Sequence, residues 1–252
     1  MTVFAGEAFT IITGASSGIG RAIAMKLSSD RKLILHGRSL ERLEETRQLC
    51  GGSGHLIWCW DLRHADGLSD GLAIWMEAHQ VKVESFIHCA GMVTILPARS
   101  ISHAIAQEIL TVNFTSAMEI IAALLRRRMN QQNLRNVLFI SSIWSRFGAR
   151  GYSLYCASKG ALDSAMRALA VELAPIVRVN SLVLGAIKTP MAETGFSDPV
   201  IIANLEKQYP LGTGSTDDPA DAAAFLISEQ ARWITGQQIF VDGGRTANMS
   251  LK

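Results

Sequence analysis

The sequence predicts an α/β protein: one doubly wound sheet of about seven parallel strands with helices on both faces. Three observations carry this. Short β-branched runs alternate with longer stretches of helical period, the order a parallel sheet with crossover helices requires. The chain is 48% hydrophobic and 18% charged, with mean hydropathy +0.21, which suits strands buried on both faces and argues against disorder. Its 252 residues hold only 6 prolines, with no internal repeat, low-complexity tract or linker, so 1–252 is expected to be one domain.

Taken in order, the first strand is expected at 9–13, and a glycine-rich turn leads from it into a helix over 18–30. Strands follow at 32–36, 55–60, 83–88, 136–141, 177–184 and 238–241, with helices over 39–50, 64–80, 101–131, 155–174 and 218–229 between them. The least regular stretch, 185–216, carries Gly195, Pro199, Pro210, Gly212 and Gly214 among Met191, Phe196, Ile201 and Tyr209. It reads as a substrate lid near 188–214.

Charge and cysteine usage narrow the function. A net charge of +2 supplies no concentrated basic field, which argues against nucleic acid or an anionic membrane as partner and leaves small molecules. Cys50, Cys59, Cys89 and Cys156 show no Cys-x-x-Cys spacing, so reduced thiols are expected rather than disulfides or zinc. The histidines are dispersed, and no metal is expected. Met1 to Phe9 lacks the basic-then-apolar pattern of a secretory signal, and no later run reads as a membrane span. A soluble, cytoplasmic protein is the expectation.

Two constellations carry chemistry. Thr13-Gly14-Ala15-Ser16-Ser17-Gly18-Ile19-Gly20 lies where the first strand turns into the first helix. Glycines there let backbone approach a dinucleotide pyrophosphate, and the helix N-terminus offers free N–H groups to it. Three glycines in a turn also serve tight strand-to-helix packing alone. The second constellation is Ser142, Tyr155 and Lys159. The last two lie four residues apart and share a helix face. An ammonium beside a phenol favours the phenolate and brings proton exchange with a carbonyl or hydroxyl into range. Ser142, at a strand's carboxyl end, can hydrogen-bond the same oxygen. Asn113 interrupts a long helical segment, where an amide is a mediocre helix former able to bend the helix around a water.

With these motifs the chain resembles the short-chain dehydrogenase/reductase family, and the bacterial 3-oxoacyl-[acyl-carrier-protein] reductases in length and motif order. The matching pieces are Thr13 to Gly20, Asp61-Leu62, Ala90-Gly91, Asn113 within Val-Asn-Phe, Ser141-Ser142, Tyr155-Cys-Ala-Ser-Lys159, Ile234-Thr-Gly-Gln and Val241-Asp-Gly-Gly. The resemblance implies a Rossmann-type fold and a reaction between a ketone and a secondary alcohol. It makes Tyr155 the proton donor or acceptor, Lys159 the group that lowers its pKa and holds the nicotinamide ribose, Ser142 the ligand of the reacting carbonyl and Asn113 the anchor of a relay water. Gly14, Ser16, Ser17, Gly18, Ile19 and Gly20 would cradle the cofactor. Asp61 and Leu62 would meet the adenine, Ala90 and Gly91 would be among the cofactor-binding residues, and Ile187 and Thr189 would meet the nicotinamide amide.

The stretch after the second strand reads His36-Gly37-Arg38-Ser39, and the first acid is Glu41. A selective NAD site places an acid there, whereas Arg38 can grip a 2′-phosphate; NADP(H) is therefore expected in preference to NAD(H). Two departures from the family pattern stand out. His88-Cys89 replaces the usual Asn-Asn, which is expected to weaken strand ties or cofactor affinity, and Leu184-Gly185 replaces Pro-Gly, which is expected to loosen a turn. Cys89 reads as a small buried hydrophobe before a redox sensor. Ile120, Ile121, Leu124 and Leu125 read as a core face; related proteins pair this helix across subunits, so a homotetramer or homodimer is expected. Arg126, Arg127 and Arg128 read as the solvated end of a long helix, with an acidic carrier's docking patch as the sharper alternative. The pocket is expected to be lined by Met92, Val93, Ile95, Ile143, Trp144, Phe147 and Tyr152. The first substrate expectation is a carrier-linked 3-oxoacyl thioester, and the alternative a sugar, polyol or other small secondary alcohol. A non-catalytic dinucleotide-binding regulator is the remaining class.

Overall fold

Alternate apolar residues of the first strand choose opposite faces of one sheet, and that choice builds the molecule. A computed structural model describes residues 8–190, 203 and 205–248. Strands β1 (Ala8–Thr13), β2 (Lys32–Gly37), β3 (Leu56–Cys59), β4 (Lys82–His88), β5 (Asn136–Ser142), β6 (Arg178–Leu184) and β7 (Gln238–Val241) form one sheet in the order β3-β2-β1-β4-β5-β6-β7. Every pairing is parallel. Phe9 and Ile11 point to one side with Trp58, Phe86 and Phe139, under α3 (Leu68–Ala78), α5 (Ser116–Leu125) and α7 (Ser153–Glu172). Ile12 points to the other with Leu35, Ile87 and Leu182, under α1 (Gly18–Leu27), α2 (Leu40–Leu49) and α8 (Asp217–Leu226). The architecture is the expected doubly wound, Rossmann-like one. Its strand order reverses between β1 and β4, where such sheets open a ligand crevice.

The helix expected over 101–131 is broken. It runs as α4 (His103–Leu110), a π-helical turn (Thr111–Thr115) and α5, which stops at Leu125 because Arg126 turns extended with ψ 114. A short helix, α6 (Arg127–Asn130), then brings Asn130 back to clamp both the N–H and the C=O of Val83 on β4, at 2.7 and 2.8 Å. Arg126 thus caps the long helix while Arg127 and Arg128 open the next short one; all three are exposed, and Arg126 is paired with Asp70 at 2.6 Å. The core-face expectation holds for Ile120, Ile121 and Leu124, which are buried, whereas Leu125 is exposed. The 103–125 stretch, with hydropathy 1.5, is long and apolar enough to cross a membrane by length and composition, contrary to expectation. Here it packs as a core helix on the sheet.

Residues 191–202 and 204 of the expected lid lie outside the described residues. Its flanks are pinned: Ile187 bridges Gly214, and Lys188 N–H donates to the Gly214 carbonyl at 3.1 Å. Tyr209 is buried, and its hydroxyl accepts the Ala186 N–H at 3.0 Å. Its ring fills the space a side chain at Gly185 would need, with an ideal Cβ only 2.8 Å from Tyr209 Cε1 and 2.9 Å from Asp242 Cα. The Leu184-Gly185 turn is therefore held by packing rather than loosened by the missing proline.

Candidate active site

The carboxyl ends of the parallel strands collect nearly every residue singled out in the sequence. After β1, Gly14 adopts φ +71, and a Cβ there would lie 2.9 Å from Ala90 Cα and N, so the glycine turn presses directly on the Ala90-Gly91 turn after β4. A Cβ at Gly20 would run into the Gly14 carbonyl. Ser17 precedes α1 in extended backbone, and the first turn of α1 holds no acidic residue and no side-chain cap. Ile19 follows within it. Gly18 faces Thr189, 3.5 Å from its ideal Cβ, so the turns after β1 and β6 lie against one another. Ser16 faces Gly37, whose ideal Cβ would lie 3.5 Å from Ser16 Oγ. This backbone cradle with free amides fits a dinucleotide phosphate.

The rim after β2 and β3 carries charge. Arg38 is exposed and makes no ion pair or hydrogen bond among the described residues. Ser39 caps α2 by accepting the Arg42 N–H at 3.4 Å. Asp61 lies in a fork from Arg63, which holds its carboxyl down at about 2, and Arg38 acts in the same direction. Leu62 and Ile187 turn their side chains into the core, 5% and 6% exposed, leaving their backbone for any ligand contact.

Ser142 ends β5, and Tyr155 sits in the first turn of α7 because that helix starts two residues earlier than expected. Ser142 Oγ accepts the Trp144 N–H at 3.3 Å and lies near enough to the Tyr155 hydroxyl to pull its pKa down. Lys159 comes one turn later, its Nζ 5.7 Å from the Tyr155 ring centre and donating to the Ile140 carbonyl at 2.8 Å. Burial pushes the Tyr155 phenol up to about 12, against the downward pull of Ser142. Burial also brings Lys159 down to about 8. The expected lowering of Tyr155 by Lys159 is absent here: the ammonium is spent on the Ile140 carbonyl and lies over the ring rather than at the hydroxyl.

Asn113 is fully buried in the π-turn. Its amide accepts from Met92 N–H at 2.8 Å and donates to the Met92 carbonyl and Ser158 Oγ, both at 2.9 Å. Gly91 keeps this corner open, since its ideal Cβ would lie 3.5 Å from Asn113 Oδ1 and 3.6 Å from Lys159 Nζ.

His88 overturns the expected loss of strand ties. Its Nε2 meets the Asn113 carbonyl at 3.2 Å, which fixes the proton on that nitrogen, and its Nδ1 accepts from Thr13 Oγ1 at 3.0 Å. Thr13 in turn accepts the N–H groups of Cys89 and Ala90 at 3.1 and 3.2 Å. One imidazole thus joins β1, β4 and the π-turn. Burial, with Lys159 nearby, drives His88 down to about 3 and keeps it neutral. The Cys89 thiol is pushed up to about 12 by burial, the inert state of a small hydrophobe. Sequence reasoning missed the Thr13–His88–Asn113 link, because its partners are 75 and 25 residues apart. It also missed Asp163, a buried acid whose place one turn beyond Lys159 was the available signal. No cluster of three or more His, Cys, Asp or Glu able to hold a metal occurs among the described residues.

A family profile described as Enoyl-(Acyl carrier protein) reductase matches residues 14–246. A glucose 1-dehydrogenase of Gluconobacter oxydans is 30% identical over 249 residues, spanning 96% of this chain and 93% of that protein. A D-erythrulose reductase of Gallus gallus is 28% identical over 238 residues, spanning 93% and 94%. A Beutenbergia cavernae crystal structure, described as an NAD(P)-dependent gluconate 5-dehydrogenase with NADP bound at low occupancy, superposes with a TM-score of 0.87 at 29% identity over 97% of this chain and 98% of that one. With the glycine cradle on β1 and the Ser142–Tyr155–Lys159 cluster beside it, this chain belongs to the short-chain dehydrogenase/reductase family, the NAD(P)-dependent oxidoreductases of CH–OH groups.

Proposed function

We propose that the chain interconverts a sugar, polyol or other small secondary alcohol and its ketone, with NADP(H) preferred over NAD(H). The observation that carries the reaction is the Tyr155 hydroxyl beside Ser142, with the buried Lys159 ammonium over the Tyr155 ring and next to Gly91. Relatives named for erythrulose, glucose and cyclopentanol support the substrate class. Carrier-linked thioesters, the other expectation, lose part of their docking patch to the Arg126–Asp70 pair.

A bound nicotinamide supplies or accepts the hydride. Gly14, Ser16, Ser17, Gly18, Ile19 and Gly20 hold its phosphates, Asp61, Leu62, Ala90 and Gly91 its adenosine half, and Ile187 and Thr189 its amide. Arg38 takes the 2′-phosphate, a charged contact worth about 1.5–3 kcal/mol. Ser142 orients the substrate oxygen, and Tyr155 gives it a proton during reduction or takes one during oxidation. Lys159, charged below about 8, stabilises the phenolate and binds the ribose. Asn113 holds the corner beside Lys159 through which a water connects to solvent. Trp144 and Tyr152, ring centres 5.6 Å apart, lead edge-on to Tyr155 and form the aromatic wall of the pocket.

The test is a screen of ketoses, polyols and cyclic alcohols against a carrier-linked 3-oxoacyl thioester, with both cofactors. Higher kcat/KM on small secondary alcohols with NADP(H) is expected; preference for the thioester overturns the substrate class, and equal or better use of NAD(H) overturns the cofactor assignment.

A further inference from the structure

A buried ammonium either finds a counter-charge or gives up its proton. Lys159 is 4% exposed, and its one hydrogen-bond acceptor among the described residues is the uncharged Ile140 carbonyl. The titratable groups around it are Tyr155 and Asp163 on its own helix and His88 and Cys89 at the end of β4. His88 is held neutral, Cys89 keeps its proton, and Tyr155 is a neutral phenol at rest. Asp163 is the carboxylate of the set.

Its placement is unusual for an aspartate on a helix. Asp163 is 3% exposed, one turn beyond Lys159 on α7. Oδ2 accepts from Ser141 Oγ at 3.0 Å and from Gln238 Nε2 at 2.5 Å, while Oδ1 is buried without a hydrogen-bond partner. Ile140 and Ser141 are consecutive on β5, so the ammonium and the carboxylate are tied to adjacent residues of one strand. Gln238 is itself fixed: its Oε1 accepts from Arg146 Nε at 3.0 Å and again from Nη2, which polarises the amide toward Asp163. A side chain recruited only to accept hydrogen bonds would not leave a charged oxygen unpartnered in the interior.

We propose that Asp163 is a positioning residue whose carboxylate, aimed by Ser141 and Gln238, keeps Lys159 charged beside Tyr155. The assignment rests on the proton-transfer role given to Lys159 above. The two are separable, because Lys159 can be titrated directly by NMR with ε-carbon-labelled lysine in the cofactor-free protein, whatever substrate it turns over.

Asp163→Asn preserves shape and both accepted hydrogen bonds while removing the charge. Its Lys159 midpoint is expected to fall by about one unit or more, the shift an opposite charge at close range produces. The high-pH limb of kcat then moves in the same direction. Gln238→Leu keeps the carboxylate but removes one of the two bonds that aim it, so its midpoint is expected to fall less than that of Asp163→Asn. An unchanged midpoint in Asp163→Asn, or an equal shift in Gln238→Leu, overturns the proposal. Should Asp163→Asn fail to fold, Lys159→Met is expected to lower Tm by stranding the carboxylate, and adding Asp163→Asn to it to recover stability. No recovery is equally fatal.

Discussion

At the residue scale, the proposed function divides its work among one phenol, one ammonium and one guanidinium. Tyr155 and Lys159 were legible in sequence because a four-residue spacing on any helix puts two side chains on one face. What spacing could not give was their protonation. Burial moves Tyr155 up to about 12 and Lys159 down to about 8, and burial is a property of the assembled sheet. The role proposed for Arg38 also comes from sequence, since the residue after the second strand of such a fold faces the adenosine ribose. It stands exposed and unpaired among the described residues, beside Gly37, whose ideal Cβ would lie 3.3 Å from Leu43 Cδ2 and 3.5 Å from Ser16 Oγ. Gly37→Asp combined with Arg38→Leu is therefore expected to reverse cofactor choice, lowering kcat/KM for NADPH roughly ten- to a hundredfold, the factor one charged hydrogen bond supplies. Steady-state rates with both reduced cofactors decide it, and an unchanged ratio removes Arg38 from the 2′-phosphate.

Secondary-structure elements follow the sequence closely where local chemistry sets them and depart from it where distant contacts do. All seven strands lie within a few residues of expectation, because buried parallel strands announce themselves as apolar runs. The break at Arg126 was hidden, since Arg and Met are good helix formers. It is imposed by Asn130 clamping Val83, 47 residues away. The glycine turn after β6 was misjudged for a similar reason: Tyr209, 24 residues on, packs against Gly185 and replaces the rigidity of a proline. Gly185→Ala is thus expected to destabilise the fold by about 1–3 kcal/mol through overpacking. Thermal unfolding measures this, and an unchanged Tm would mean that Tyr209 moves aside at no cost.

Across the whole molecule, two buried imidazoles make stability depend on acid. Burial lowers His36 and His88 to about 3, below the ordinary 6.5, so both are neutral when folded and take up protons on unfolding. Their contribution is complete above about pH 6.5 and is lost progressively as pH falls toward 3, at up to about 1.4 kcal/mol per unit for each ring. Tm is expected to be flat above neutrality and to fall below it, less steeply in His88→Asn. Equal slopes would locate the acid sensitivity elsewhere. The central claim is that the strand-end cleft performs proton transfer through Tyr155. Its most direct test is the turnover number of Tyr155→Phe against wild type on the best small secondary alcohol, with cofactor binding measured on the same samples. A loss of about 10²- to 10⁴-fold with the cofactor dissociation constant retained is expected; near-normal turnover by a folded Tyr155→Phe would contradict the assignment.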